Sequence, residues 1–389
     1  MTSALPPKAD VVIIGAGPSG LAAACKLRLQ GINAIVLDGA AGPATTFRAT
    51  IVHSRTLEVL EDVGATNPLL ETGVHVSKFV FRNQDQRIGN LEFSKLHALY
   101  PLALTLPQTD TERILRDRLQ ALGGSIHWNH SVSALEDGEA KVLLQIKTPQ
   151  GPSTIEATYV IAADGLHSVV RQSKGIDFHG GEYDISFITA DCRMASWPLA
   201  GDEVQACVAA DGFLLLIPEP SGTKLYRIVA TLDNAPKEPD LALVQSILDK
   251  RAPRGVRAAT VESSSRFHIH HRLAAKYVDG RTFLVGDAAH VHSPAGGQGM
   301  NIGIQDGVAA AAVITQAILH GATAVQDLAK YEAMRRPVAQ GVVGLTHRLT
   351  LLVTLRNPLM CLLRNWALFL LLSMPFVRSK MTRRLAELD

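Results

Sequence analysis

Cysteine is scarce. Cys25, Cys192, Cys207 and Cys361 are the only four in 389 residues, and no two of them form a CxxC pair or a zinc spacing. This excludes a disulfide framework and a cysteine-based metal site, and implies free thiols in a reducing compartment. Charge imbalance is missing too: the net charge is +2, with pI ≈ 8.3. No basic stretch is interleaved with aromatics, so nucleic acid is not an expected partner. Repeats and low-complexity linkers are absent. Lys8 is the one lysine before a short, glycine-broken apolar run that reads as a strand and not as a signal peptide, so a cytoplasmic location is expected. What the chain has in quantity is apolar surface. Hydrophobic residues make up 47%, enough for two domains, or one large domain with an insertion, to fold without covalent staples.

Residues 10–38, DVVIIGAGPSGLAAACKLRLQGINAIVLD, contain a complete strand, glycine turn, helix and strand. The apolar run at 11–14 predicts a buried parallel strand, followed by Gly15, Gly17 and Gly20 at GxGxxG spacing. Gly15 permits the tight turn, Gly17 leaves room for a pyrophosphate, and Gly20 lets the helix pack closely on the sheet. Pro18 suits the first helical turn and Gly31 a stop. The helix start offers N–H groups to phosphates, and Asp38 at the end of the second strand can accept from ribose hydroxyls. A dinucleotide site follows, and NAD, NADP and FAD all satisfy it.

Downstream, residues 47–65 predict a short helix with Leu57, Leu60 and Val63 on one face and Arg48 and Arg55 flanking its approach. Stretches 76–81 and 87–93 alternate as strands. Thr109 and Glu112 have the spacing of a capping box, opening a helix with Leu115, Leu119 and Leu122 on one face and a stop at Gly123 and Gly124. From Ser125 the period falls to two, and turns at 137–138 and 149–151 predict an antiparallel meander. Residues 178–264 are strand-rich, with Phe213, Leu215 and Tyr226 as candidate pocket-lining residues. The apolar strand from Phe283 ends at Gly286 and Asp287, and an alanine-rich helix follows Gly296, Gly297 and Gly299. His268, His270 and His271 invite a metal reading, as do His290 and His292. With no carboxylate or cysteine nearby in sequence, no metal is expected.

Leucines dominate residues 348–384, where the longest uncharged run, 365–377, is 13 residues. That is short of the ~20 needed to span a bilayer. Helices packed on the first domain, a homodimer contact, or a peripheral membrane contact aided by Arg378, Lys380, Arg383 and Arg384 all fit.

Three motifs carry the chemistry: GAGPSG with Asp38, VIAADGLHSVVR at 160–171, and GDAAHVHSPAGGQGMN at 286–301. With FRATIVHSRTLE and LPQTDTERIL, they resemble the class A flavoprotein monooxygenases of the para-hydroxybenzoate hydroxylase type, especially phenol and polyketide hydroxylases, over about residues 11–331. The resemblance implies an α/β fold: a glutathione-reductase-type FAD-binding Rossmann domain with an inserted antiparallel-sheet substrate domain and C-terminal helices. The FAD domain would comprise 1–75, 97–177 and 265–330, the substrate domain 76–96 and 178–264, and the helical segment 331–389.

The resemblance also implies that Ser19 and Asp38, with Gly15, Gly17 and Gly20, hold the ADP half of FAD. Arg48 would lie near the moving flavin, Arg55 and Gln108 would contact the cofactor, and Asp287, after Gly286, would accept from the ribityl chain. Asp164, His167 and Arg171 match the motif associated with FAD pyrophosphate and the nicotinamide cofactor. Pro294 and Gly296, with Arg48, would form the flavin environment during catalysis. Gly297, Gly299, Met300 and Asn301 would bring helix N–H groups to the flavin N1 and C2 carbonyl, where reduction places negative charge. The implied reaction is hydroxylation of an aromatic, phenolic or polyketide-like molecule through a flavin C4a-hydroperoxide, with transient NADPH or NADH as reductant and O2 as oxidant. Alternatives are a reductase or dehydrogenase of the same fold, such as an isoprenoid-reducing one, an antibiotic-inactivating monooxygenase, or a non-catalytic FAD-binding scaffold. The lack of a second GxGxxG and of CxxxxC disfavours Baeyer–Villiger and disulfide-reductase architectures, and the lack of WxWxIP disfavours flavin halogenases.

Overall fold

The computed structural model describes residues 5–45, 49–183, 185–220, 224–321 and 325–388. Val11, Val12 and Ile13 are fully buried because their strand is central: Val12 pairs in parallel with Ile35 on one side and with Val160 on the other. The parallel order is Thr282–Leu284, Gly151–Ala162, Lys8–Ile14, Ala34–Asp38, Ile126–Trp128, within an eight-stranded sheet. Ser131–Asp137 and Val142–Thr148 add the expected meander against Gly151–Ala162. Parallel strands end at one edge. Gly15, Asp38, Asp164 and Gly286 therefore collect there from four separate parts of the sequence.

Two helices cross that edge, Pro18–Leu29 and Gly299–His320. They touch almost backbone to backbone: a Cβ on Gly303 would lie 2.5 Å from Ser19 Oγ, and one on Gly307 2.2 Å from the Ser19 carbonyl oxygen. Gly299–His320 is long and apolar enough to cross a membrane, but 67% of its apolar window is buried inside the protein, as a core helix requires.

A seven-stranded sheet runs Arg257–Phe267, Ser186–Ser196, Leu225–Leu232, Gly212–Pro218, Glu203–Ala209, Lys78–Asn83, Gln86–Glu92. One face packs on helix Leu241–Arg251, and Tyr226 belongs to that core, stacked on Trp197 with ring centroids 3.7 Å apart. Tyr226 is thus not a pocket residue. Phe213 and Leu215 share the opposite face with Arg227 and Val229, since Leu215 pairs with Val229 and Ile217 with Arg227.

The helix expected from the capping box is present as Gln108–Ala121, but the box itself does not form. The helix begins two residues early, with Pro107 and not Thr109 at its N-cap, and Gln108 Nε2 donates to Glu112 Oε1 at 2.8 Å. Glu112 is held by that neighbour. Three helices follow the core: Val325–Val353, Pro358–Ser373 and Pro375–Leu385, with Leu372 seated against Gly89 of the Gln86–Glu92 strand. All four cysteines are buried and unpaired.

Candidate active site

The glycines of the opening turn divide into structural and vacant positions. Gly15 has φ +107°, and a Cβ there would lie 2.2 Å from the Ala163 carbonyl oxygen; one on Gly20 would lie 2.1 Å from the Gly15 carbonyl oxygen. Gly17 faces open space, with no heavy atom within 4 Å of a Cβ position. Helix Pro18–Leu29 has no side-chain cap, so its first-turn N–H groups are directed at that space. Asp38 braces the turn: Ala16 N–H donates to Oδ2 at 2.7 Å and Ala40 N–H to Oδ1 at 2.8 Å. Each oxygen keeps acceptor capacity for a ligand hydroxyl. Beside it lies an open hollow of ≈ 490 Å³ lined by Gly39, Asn129, Ser131, Lys147, Thr148 and Pro149.

The second motif splits its functions. Asp164 Oδ2 accepts from Val170 N–H at 3.2 Å, while buried Oδ1 has no partner among the described residues. Burial raises the pKa of this carboxyl above the ordinary range. Gly165, at φ +78°, again faces open space. Arg171 is buried and faces inward. Its Nη1 donates to the Ala288 carbonyl at 2.9 Å and its Nη2 to the Leu166 carbonyl at 2.8 Å, with Phe178 beneath the guanidinium. It straps this loop to the Gly286–Ala288 turn. The five-residue helix Val169–Ser173 is capped by Ser168 Oγ, which accepts from Arg171 N–H, and His167 is exposed.

In the third motif, Gly286 sits at φ +57° against Ser19, and Asp287 is exposed on the same short turn. The loop from Pro294 to Gly297 closes when Gly297 N–H donates to the Pro294 carbonyl at 2.9 Å. Helix Gly299–His320 then starts without a side-chain cap, with Met300 half-buried in its first turn. Fully buried Asn301 holds the loop to the strand before residue 53. Its Oδ1 accepts His53 N–H, and its Nδ2 donates to the carbonyls of Ile51 and Gly297, each at 2.8 Å.

His53 completes the tie, with Nε2 2.8 Å from the Gly296 carbonyl oxygen. A carbonyl only accepts, so Nε2 carries the proton and Nδ1 is bare. Burial pushes the His53 pKa down to about 4, and that of His292 likewise to about 4. Both imidazoles are neutral near pH 7. His290 Nε2 donates to buried Asp306 at 2.7 Å, and Arg335 Nε donates to the other oxygen at 2.6 Å.

Arg48 lies outside the described residues. Arg55 is turned away, half-exposed and paired with Glu58 at 2.9 Å. Gln108 approaches the same chain segment, its Oε1 accepting Ala49 N–H at 3.2 Å. Sequence reasoning missed His53, Asp306 and Arg335, whose partners are far away in the chain. It also missed a buried ionic group across the sheets, in which Arg227 donates to Asp191 at 2.7 and 3.0 Å and to Thr50 Oγ1. Glu219 lies 3.6 Å from Arg227, and its burial outweighs that attraction, pushing its pKa up to about 7. Glu182 lies 3.8 and 3.7 Å from His268 and His270, but no group of three His, Cys, Asp or Glu among the described residues is arranged to hold a metal.

Comparison with known proteins agrees with this geometry. The chain matches the family described as FAD binding domain over residues 8–346. It is 35% identical over 371 residues to 12-dehydrotetracycline 5-monooxygenase/anhydrotetracycline 6-monooxygenase of Streptomyces rimosus, covering 88% of this chain and 70% of that protein. It is 30% identical over 346 residues to pentachlorophenol 4-monooxygenase of Sphingobium chlorophenolicum, covering 87% of this chain and 64% of that one. Its structure superposes on OxyS anhydrotetracycline hydroxylase from Streptomyces rimosus with TM-score 0.81 at 32% identity, covering 98% of this chain and 76% of the other.

Proposed function

This chain belongs to the FAD-binding-domain family of class A flavoprotein monooxygenases, and from that membership we propose which residues hold the flavin and what they present to a substrate. The protein is an FAD-dependent monooxygenase that uses NAD(P)H and O2. When bound, FAD supplies the redox chemistry and the activation of O2. The observation that carries the assignment is the meeting, at one sheet edge, of two uncapped helix starts, the open space over Gly17 and the orphaned Asp164 Oδ1.

A ligand with an anionic centre and hydroxyls along its length answers all of these. Gly15, Gly17, Ser19 and Gly20 would cradle the pyrophosphate on the first helix start, and Asp38 would accept from the ribose. Asp164 Oδ1, with Gly286 and Asp287, would take the polyol. The loop from Pro294 to Gly297 and the N–H groups of Gly299, Met300 and Asn301 would flank the ring, where positive helix potential favours the charge of the reduced state. Gln108 would reach the ring from the other side. Arg171 acts as a positioning residue through its two carbonyl contacts. The FAD domain would comprise residues 1–75, 97–177 and 265–330 and the substrate domain 76–96 and 178–264, the latter covering the ring and excluding water.

The substrate we assign is an aromatic, phenolic or polyketide-like small molecule. Phe213, Leu215 and Val229 are apolar residues on one face of the sheet, and relatives are named for anhydrotetracycline and pentachlorophenol. Beyond substrate and O2, the C-terminal helices add a surface contact, with a second copy or a membrane. The test is a library of phenols and aromatic polyketides screened for stimulated NADH or NADPH oxidation under labelled O2. The expected product gains one labelled oxygen. A substrate reduced without oxygen, with no insertion in air, refutes the reading.

A further inference from the structure

Helix Pro358–Ser373 is amphipathic in reverse. Its single charged side chain, Arg364, points inward, with Nη2 donating to the Val208 carbonyl at 3.0 Å and Nη1 to the Leu352 carbonyl at 3.2 Å. Cys361 and Leu372 are buried beside it. The outward face instead carries Leu359, Leu362, Trp366 and Phe369, with Leu362 66% and Trp366 61% exposed. Past the bend, Phe376 is 80% exposed at the start of the next helix. A contiguous apolar patch of this kind on a folded protein marks an interaction site.

The charge around the patch selects its occupant. Between Glu332 and Glu387 the chain has nine Lys and Arg and no Asp or Glu. Arg348, Lys380 and Arg384 are exposed. In a two-fold contact through this face the same cations would meet themselves, with no acidic group in the segment to answer them. An anionic lipid surface is complementary to both the apolar face and its cationic surround. Spanning is excluded by geometry. Sixteen residues make a helix of about 24 Å, against a hydrocarbon core of about 30 Å, and the next helix turns away by 98°.

We propose that this face rests on a bilayer containing anionic lipid, with helix Pro358–Ser373 in the membrane plane. This goes beyond the monooxygenase chemistry and does not depend on it. Trp366 and Phe376 are the interfacial anchors, and Lys380 and Arg384 contact headgroups.

The test uses the full-length holoprotein and vesicles of equimolar phosphatidylglycerol and phosphatidylcholine, compared with phosphatidylcholine alone. Co-sedimentation with the anionic vesicles, weakened by salt, and a blue shift of tryptophan emission are expected. Lys380→Glu with Arg384→Glu should weaken partitioning by at least ~25-fold, at roughly fivefold or more per cation lost. Trp366→Ser with Phe376→Ser should abolish it. FAD content and thermal unfolding should be unchanged in both double variants, because the four side chains project from the surface. Failure of the wild-type protein to sediment with anionic vesicles overturns the proposal. So does a dimer that persists with vesicles and is broken by Trp366→Ser, since the face would then be a subunit interface.

Discussion

Asn301→Ala deletes one side chain and leaves three buried backbone groups without partners: His53 N–H, the Ile51 carbonyl and the Gly297 carbonyl. Each such loss costs about 1–3 kcal/mol. Partial relaxation into the vacated space offsets some of it, so a total of about 3–5 kcal/mol is expected. In a chain of this size that corresponds to a melting temperature lowered by about 4–6 °C. Flavin retention should fall further than stability alone requires, because the Gly297 carbonyl belongs to the loop assigned to the ring. The assay is thermal unfolding followed in parallel by circular dichroism and by release of flavin fluorescence. Asn301→Asp separates hydrogen bonding from packing. It keeps an acceptor for His53 N–H but sets carboxylate oxygens against two carbonyls, so it should be at least as damaging as alanine at pH 8 and recover in part on acidification. An Asn301→Ala protein that melts with the wild type and keeps its flavin would refute the inference that this side chain holds the site together.

The two glycines of the opening turn should respond in opposite ways. Gly17→Ala should fold normally but lose FAD affinity by at least ~10-fold, whereas Gly15→Ala, with its Cβ 2.2 Å from a backbone oxygen, should not accumulate as folded protein. Asp38→Ala should yield colourless or FAD-depleted protein, and an absorption spectrum showing full flavin with only NAD(P)H affinity lost would overturn the assignment of that site. Stability should be flat between about pH 4.5 and 6.5. Within it neutral His53 and His292, with pKa about 4 against 6.5 unfolded, lose stability as pH falls, while Glu219 and Glu387, held protonated to about 7 and about 8 against 4.5 unfolded, lose it as pH rises, so the two slopes nearly cancel; above it the glutamates act alone and stability declines. Urea unfolding of Glu219→Gln across pH 5 to 8 should show a shallower alkaline decline, and an unchanged profile would refute the reading.

The Rossmann unit was legible because its signals are local. The apolar run at 11–14, the glycine spacing and Asp38 lie within one short stretch, and each has a steric or hydrogen-bonding reason to stand where it does. The motif does not reveal that its glycines differ in kind, Gly15 pressed against Ala163 and Gly17 facing open space, because the relevant neighbour comes from a strand about 150 residues downstream. The Asn301 hub is invisible for the same reason, with His53 248 positions away in sequence. Where a local rule failed, the helix had already started: with Pro107 at the N-cap, Thr109 lies inside the first turn, and Glu112 accepts from Gln108. Arg171 illustrates a different loss. Its motif is associated with FAD pyrophosphate and the nicotinamide cofactor, and its sequence position gave no sign of the two carbonyl partners that make it a strap within the site.

The C-terminal helices were expected from the sequence, but the direction in which their apolar surface faces was not legible, for a more instructive reason. Periodicity identifies an apolar stripe but not the direction it faces, and the usual inference that the stripe faces the core rests on water being the alternative. In Pro358–Ser373 the stripe that meets the protein is narrow and includes Cys361 and Arg364, while the broad one faces outward. An arginine satisfied by the Val208 and Leu352 carbonyls, 156 and 12 positions away, commits the helix to this orientation. Rotating the leucines inward would tear the guanidinium from both carbonyls. The outward apolar face is therefore held in place by a buried polar anchor, and nothing among the described residues covers it.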